Sequence, residues 1–104
     1  MLTGRRYGVL WMLVRFANTA LDRLETEPSD GTYSQAVVTA YRRRMQAIRA
    51  AETTQTFYVM KSWHFEKLKG KRAHQHSMRL NDQWRLIMEL DGPTVVICGI
   101  EDYH

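Results

Sequence analysis

The sequence predicts an α+β domain in which an N-terminal strand and two helices precede three or four antiparallel strands. Two observations support this class: a long helical stripe of apolar residues within 34–51, and short alternating or β-branched runs separated by turn residues within 75–100. Neither helix could bury its apolar side alone. Both are therefore expected to pack on one face of a twisted, mainly antiparallel sheet of 3–5 strands.

Length and composition restrict the class of protein. A chain of 104 residues has room for one domain, and an apolar content of 44% suits a modest core. The single cysteine excludes an internal disulfide bond. The longest apolar run, Gly8–Val14, is far shorter than the roughly 20 residues of a membrane helix. Arg5 and Arg6 before this run loosely imitate a signal peptide, but Arg15 interrupts the pattern, so we expect a first strand and a soluble, cytoplasmic protein.

The N-terminal part predicts a strand followed by a short helix. Val, Leu, Trp and Phe are concentrated in Gly8–Phe16, as expected of a strand. Asn18 or Thr19 can cap a helix that ends near Glu25. The Pro, Ser, Asp and Gly residues of 26–32 then predict a loop.

The clearest helix of the sequence follows this loop. Thr32 or Ser34 can open it, and it is expected to run to about Ala51. The arginines at 42–44 and 49 lie off its apolar stripe and predict either a solvated flank or a surface that faces a partner. The stripe recurs at i, i+3, i+7 and i+10, through Val38, Tyr41, Met45 and Ile48.

The second half of the chain predicts a meander of strands. Thr53–Trp63 has no clear periodicity, although its aromatic residues should pin it to the core. Turn residues at 81–82 and 91–93 separate the strand patterns that follow. Of these, the first two alternate and the third is a nearly continuous β-branched run, which is typical of a central strand. They are Gln75–Leu80, Trp84–Leu90 and Thr94–Ile100.

Basic residues are concentrated in one stretch. Lys61–Arg85 contains seven Lys and Arg against two acidic residues, a local net charge of +5, together with three histidines. Strand alternation places Arg79 and Arg85, with the loop around 69–72, on the sheet face away from the helices. An open basic face of this kind attracts phosphate polyanions such as RNA, although a merely solvated face has the same composition.

Three blocks of this sequence resemble one known family. They are FEKLKGKR at 65–72, QHSMRLNDQWRL at 75–86 and EDYH at 101–104. In this order they are similar to the HigB-like branch of the RelE/ParE toxin superfamily, over roughly residues 12–104. The chain is therefore identified as a single domain, 1–104, in which 1–10 extends beyond the family's usual start. It departs from the family pattern at Lys71, His74 and His76, where Asp, Gly and an aromatic residue are usual.

The resemblance implies an activity and a set of residues. Members of the family are toxins of type II toxin–antitoxin pairs. Many cut mRNA in the A site of the 30S ribosomal subunit, without metal or other cofactor, by driving a ribose 2′-OH onto the adjacent phosphate. By this resemblance the catalytic residues are Lys69, Arg85, Asp102, Tyr103 and His104. The RNA-binding residues are Lys67, Lys71, Arg72, His76 and Arg79.

Each implied catalytic side chain has a chemical role. The reaction needs a general base, a general acid and positive donors for the phosphorane. His104 suits the acid or the base because an unperturbed imidazole has a pKa of about 6.5, and Asp102 is expected to orient it. Tyr103 is expected to stack on a splayed base or to donate to a phosphate oxygen. Lys69, Arg79 and Arg85 are expected to steady the non-bridging oxygens.

Three further groups have a structural interpretation that we favour. Glu66 could transfer a proton, but an exposed carboxylate that answers a nearby lysine is the simpler interpretation. No Cys or carboxylate completes a recognised metal spacing with His64, His74 and His76, so no metal site is expected. Cys98 lies in an apolar run and is expected to be a buried structural thiol.

The expected partners follow from the same resemblance. They are a HigA-like helix-turn-helix antitoxin, mRNA on the ribosome, and operator DNA bound through the antitoxin; no membrane is expected. Two other functions stay open: a non-cleaving ParE-like toxin that inhibits DNA gyrase, and a degenerate member that keeps only antitoxin and operator binding. A third, a general RNA-binding accessory protein, predicts no growth arrest.

Overall fold

The computed structural model describes residues 12–103 of the chain as an α+β domain. Within that range it contains three helices, a five-stranded sheet and two 3-10 turns, at Lys61–Trp63 and Gly70–Arg72. The helices are α1 (Thr19–Thr26), α2 (Gln35–Ala50) and α3 (Gln55–Val59). The strands are β1 (Leu13–Phe16), β2 (Glu66–Lys67), β3 (His76–Arg79), β4 (Trp84–Asp91) and β5 (Thr94–Asp102). No helix of the described part is long and apolar enough to cross a lipid bilayer.

The strands lie in the order β1-β5-β4-β3-β2. β1 runs parallel to β5, and every other neighbouring pair is antiparallel. The predicted α+β class and mainly antiparallel sheet are therefore confirmed. β5 is an interior strand, in agreement with its β-branched composition. Of the first strand predicted over 8–16, residues 13–16 are strand, and residues 8–11 lie outside the described range.

The two predicted helices begin at residues that cap them. Asn18 Oδ1 accepts from the backbone N–H of Leu21 at 3.0 Å, and Ser34 Oγ accepts from that of Val37 at 3.3 Å. These bonds satisfy donors that the first turn of a helix cannot satisfy itself. The predicted stripe of α2 is buried throughout, at Val38, Tyr41, Met45 and Ile48.

Side chains of α2 hold α1 in place. The Tyr41 hydroxyl donates to the buried Leu21 carbonyl at 2.7 Å, and Arg42 Nε donates to a backbone carbonyl of α1 at 3.0 Å. Arg49 forms a two-point ion pair with Glu25, with distances of 2.7 and 2.8 Å. Two of the four arginines predicted as a solvated or partner-facing cluster therefore join the helices.

Aromatic side chains fix the segment that has no periodicity. Phe57 in α3 is buried, and its ring centre lies 6.1 Å from that of Trp63 and 5.2 Å from that of Phe65. Such separations are typical of favourable edge-to-face and tilted aromatic pairs. The prediction that aromatics pin this segment to the core is confirmed.

The two faces of the sheet differ. The face toward the helices carries the core. The opposite face, called the second face below, is not open at its centre, where Ser77 is 1% and Ile87 2% exposed. The loop between β2 and β3 lies across it, because Arg72 and His74 reach carboxylates on β5 and β4. The predicted position of this loop is therefore confirmed, whereas the prediction of an open basic face is wrong.

Candidate active site

Strand register places charged side chains in a row on the second face. Arg79 lies directly opposite Arg85, and Arg85 lies directly opposite Glu101. Directly opposed residues of antiparallel strands share a face. Tyr103 follows Glu101 by two residues, so it comes to the same side of the sheet, beside Arg85.

The Arg85 side chain makes contacts on two sides, with Tyr103 and with Glu66. Its guanidinium carbon lies 4.1 Å from the centre of the Tyr103 ring, which is a cation–π distance. Its Nη2 lies 3.3 Å from Glu66 Oε1. The side chain of Arg85 is 17% exposed, whereas that of Glu66 is 58% exposed. The arginine is thus fixed between a ring and a carboxylate that remains accessible to solvent.

Arg72 reaches the same place from the loop. Its Nη1 and Nη2 donate to the two carboxylate oxygens of Glu101 at 2.9 and 2.7 Å, and its Nε donates to Gln75 at 2.9 Å. The hydrogen bonds to Glu101 raise the pKa of the Arg72 guanidinium. The Arg85 cluster is the name used below for five side chains with two positive and two negative charges: Glu66, Arg72, Arg85, Glu101 and Tyr103.

Arg79 closes the turn between β3 and β4 instead of joining the Arg85 cluster. It pairs with Asp82 and donates from Nε to the Asn81 carbonyl at 3.2 Å. Like charges directly opposite on a sheet repel. The carboxylate partners of Arg79 and Arg85 therefore compensate for the juxtaposition that the register imposes.

Asp102 lies on the other side of the strand from Tyr103. It is directly opposite Trp84, whose ring packs edge-on against Tyr33 at 5.9 Å on the helix side of the sheet. Gln83 Nε2 donates to Asp102 Oδ2 at 3.0 Å. Asp102 therefore does not share the face of the Arg85 cluster. The predicted acid or base, His104, lies outside the described residues.

Comparisons with known proteins agree with this architecture. Residues 15–104 match the family model of the RelE-like toxin of the type II toxin–antitoxin system HigB. The chain belongs to the HigB-like toxins. No curated protein matches the sequence significantly.

Several solved structures share the fold of this HigB-like toxin. The YoeB–YefM complex from Staphylococcus aureus is 18% identical with a TM-score of 0.57, over 89% of this chain and 97% of that one. The YoeB/ParE toxin from Agrobacterium tumefaciens is 14% identical with a TM-score of 0.60, over 89% and 100%. The solution structure of HP0894 from Helicobacter pylori is 10% identical with a TM-score of 0.56, over 88% and 94%. At these identities the likeness is one of fold.

In the HigB-like toxin, three residues that the sequence suggested for catalysis or RNA binding lie together with one that was interpreted as structural. Arg72, Arg85 and Tyr103 meet in the Arg85 cluster, and Glu66 completes it. Glu66 was expected to form an exposed ion pair with a nearby lysine. It is exposed, but its partner is Arg85, so the predicted partner is wrong. β2 has two residues, and its pairing with Ser77 turns Glu66 toward the second face. A strand that short has no periodicity by which the sequence could reveal it.

Lys69 and Lys71 lie in the loop that crosses the second face. Both side chains are exposed, and neither forms an ion pair with another described residue. Gly70 between them adopts φ +64°, a left-handed conformation that suits glycine and shapes this turn. The two lysines are thus exposed cations in the same loop as Arg72, without a carboxylate partner among residues 12–103.

His76 and Lys67 lie away from this cluster. They are directly opposite each other, and His76 shares the face of its β4 partner, the buried Met88. The His76 ring stacks on Phe65, with centres 5.0 Å apart and 10° between the planes. Burial, with repulsion from Lys67 as the lesser cause, lowers the pKa of His76. The imidazole is therefore neutral at pH 7 and a weak ligand for phosphate.

Cys98 is half-buried on the second face instead of fully buried in the core. Strand alternation already places Cys98 with Val96 on the side opposite to Val95 and Ile97, and the irregularity in the β4–β5 pairing then keeps Gly99, opposite Ile87, on that same face. Burial first, and then the Glu89 carboxylate, raise the pKa of the thiol to about 11, so it is protonated at neutral pH. Over residues 12–103, no group of three or more His, Cys, Asp or Glu is arranged to hold a metal ion.

Proposed function

We propose that this type II toxin is a ribosome-dependent endoribonuclease that cuts mRNA in the A site, and that the Arg85 cluster holds the scissile phosphate. The fixed position of Arg85 between Tyr103 and Glu66 is the observation that supports this most. A guanidinium held in this way can donate two hydrogen bonds to the non-bridging phosphate oxygens. The neighbouring carboxylate and ring offer a proton acceptor and a stacking surface at the same place.

The proposed reaction is a transesterification in which the ribose 2′-oxygen replaces the 5′-oxygen on phosphorus. The Glu66 carboxylate accepts the proton of the ribose 2′-OH, and that oxygen attacks the adjacent phosphorus. Arg85 and Lys69 stabilise the negative phosphorane, and His104 donates a proton to the leaving 5′-oxygen. The products are a 2′,3′-cyclic phosphate and a 5′-hydroxyl. Because the side chains supply the positive charge, the reaction requires no metal or other cofactor.

Tyr103 and Asp102 have different roles in this proposal. Tyr103 is 48% exposed and can stack on a base that is splayed from the mRNA. Asp102 is proposed as a positioning residue, because its bond to Gln83 fixes the end of β5. In this proposal Tyr103 contacts the substrate, whereas Asp102 fixes the end of β5.

The remaining predicted RNA contacts flank the cleavage point. Lys71 is exposed and has no ion pair within residues 12–103, so it can bind phosphate directly. Arg72 and Arg79 bind phosphate only by exchanging it for their carboxylate partners. Lys67 and His76 lie off the second face, and we propose that they contact RNA away from the scissile phosphate.

Cell-free translation of a reporter mRNA tests this function. The wild type is expected to cut the reporter only while it is translated, with products that end in a cyclic phosphate. Arg85→Ala and His104→Ala are expected to lose cleavage, whereas Arg15→Ala, which removes an exposed charge from β1, should cut normally. Equal cleavage by all four proteins would refute the assignment. DNA damage signalling on expression without loss of mRNA would instead favour the gyrase-inhibiting alternative.

We also propose that a HigA-like helix-turn-helix antitoxin inhibits the toxin in the cytoplasm and carries it to operator DNA. The S. aureus YoeB structure is a complex with YefM, which supports the existence of an antitoxin partner. Co-expression with a helix-turn-helix protein from the neighbouring reading frame should abolish cleavage. A shift of operator DNA that needs both proteins would agree, and persistent cleavage in the presence of that protein would contradict the proposal.

A further inference from the structure

A groove between α2 and the end of β3 has no part in the proposed cleavage. Its volume is about 320 Å³. Two alanines, a leucine and a tryptophan give it an apolar floor, and two arginines stand at its rim. The lining residues are Ala40, Arg43, Arg44, Ala47, Trp63 and Leu80.

Arg44 is in an unfavourable electrostatic position in this groove. Its guanidinium carbon lies 4.9 Å from the centre of the Trp63 ring, and its buried Nε has no hydrogen-bond partner among residues 12–103. Burial, and then the charge of Arg79, lower the pKa of Arg44. No carboxylate of residues 12–103 pairs with it. A half-buried cation without a carboxylate partner is costly, and an incoming anion would relieve that cost.

The surroundings of Arg44 restrict the kind of anion. Arg43 is exposed and also lacks an ion pair among the described residues. The other four lining residues, Ala40, Ala47, Trp63 and Leu80, are apolar. A nucleic-acid backbone would gain nothing from these apolar side chains, whereas a protein segment can pack on them. The groove therefore fits carboxylates that come with apolar neighbours.

We propose that this groove docks an acidic amphipathic helix of a partner protein. Its apolar side chains would lie on Ala40, Ala47 and Leu80, and Glu or Asp carboxylates would accept from Arg44 and Arg43. Residues spaced by three and four share one face of a helix, so one short segment can present both kinds of group. The inference is independent of RNA cleavage, because Arg44 is not part of the Arg85 cluster.

NMR titration of the ¹⁵N-labelled full chain tests the proposal without any mutation. The probe is a synthetic helical peptide with Leu and Glu on one face, and its matched control carries Gln in place of each Glu. The acidic peptide is expected to move the Arg44 Nε–H and Trp63 indole signals. The Gln peptide should bind about tenfold more weakly, because it lacks charge-assisted hydrogen bonds. A single-stranded RNA should move neither signal.

Variants give the second measurement. Arg44→Gln should weaken binding of the acidic peptide about tenfold, while Arg23→Gln, which removes an exposed charge from α1, should not. Both variants should retain the cleavage activity of the wild type. The proposal is overturned if the acidic peptide moves neither signal in the wild type. It is overturned equally if the Gln peptide binds as tightly, or if RNA and not peptide shifts the Arg44 signal.

Discussion

Arg85→Ala should remove most of the proposed mRNA cleavage and leave the domain folded. Loss of a positioned donor to a developing oxyanion costs about 10²–10³-fold in rate. The structural loss is smaller: the stack on the half-exposed Tyr103 contributes about 0.5–1 kcal/mol. The ion pair with the exposed Glu66 contributes about 0–1 kcal/mol. The sum is about 2 kcal/mol at most, against about 5–15 kcal/mol for a typical domain.

The assay must therefore report rate and stability separately. Cell-free translation gives the rate at which the reporter mRNA is cut, and thermal unfolding by circular dichroism gives the stability of the same preparation. Arg85→Lys retains the charge but lacks the planar fork, so it should recover stability better than rate. Arg15→Ala is the matched control, since it removes an exposed arginine that lies in β1 on the same face of the sheet as Arg85. If folded Arg85→Ala cuts as fast as the wild type, Arg85 does not bind the phosphate.

Two other substitutions and two measurements on Cys98 test features of the structure. Tyr41→Phe should lower the free energy of unfolding by about 1–3 kcal/mol in urea, because the buried Leu21 carbonyl loses its donor. Glu101→Gln should strengthen binding of single-stranded RNA and steepen its salt dependence, because Arg72 becomes available to phosphate. Iodoacetamide should alkylate Cys98 slowly at neutral pH, since only the thiolate reacts and the thiol pKa is raised to about 11. The same shift gives stability that is complete below pH 9.0 and is lost as the pH rises toward about 11, which unfolding at a series of pH values should show.

Each of these expectations has a contradicting result. An unchanged free energy of unfolding for Tyr41→Phe would mean that its hydroxyl does not support α1. A wild-type salt slope for Glu101→Gln would mean that Arg72 does not reach the RNA. Alkylation at neutral pH as fast as in the urea-unfolded chain would mean that Cys98 is not shielded, with Cys98→Ser as the unreactive control.

The helices of this domain could be predicted from the sequence because their signals are local. Asn18 and Ser34 cap the helices that they were expected to open, and the α2 stripe is buried as its spacing predicts. The existence of the later strands was equally clear from alternation and turn residues. Strand order was not, because β1 and β5 are far apart in the chain and no local pattern encodes their parallel pairing.

Which residues form the site could be predicted in large part from the sequence, but the contacts between their side chains could not. Arg85 and Tyr103 were named from motif blocks, but the contact with Glu66 depends on the register of a two-residue strand. The compensation of Arg72 and Arg79 by carboxylates depends on a loop that crosses the sheet and on a turn. A basic stretch in the sequence therefore overstated the free positive charge, because acidic residues distant along the chain come to meet it.

The interior position of β5 sets a threshold for the nascent chain. Within the described sheet β1 pairs only with β5, through Thr94–Ile97, so the first strand stays without a partner until synthesis has passed Ile97. Glu101 and Tyr103, which face Arg85, arrive in the same few residues. Fragments that stop earlier thus lack both the β1–β5 pairing and the β5 side chains of the proposed reaction. Proteolytic cleavage within β5 would remove both features at once and should abolish the proposed activity.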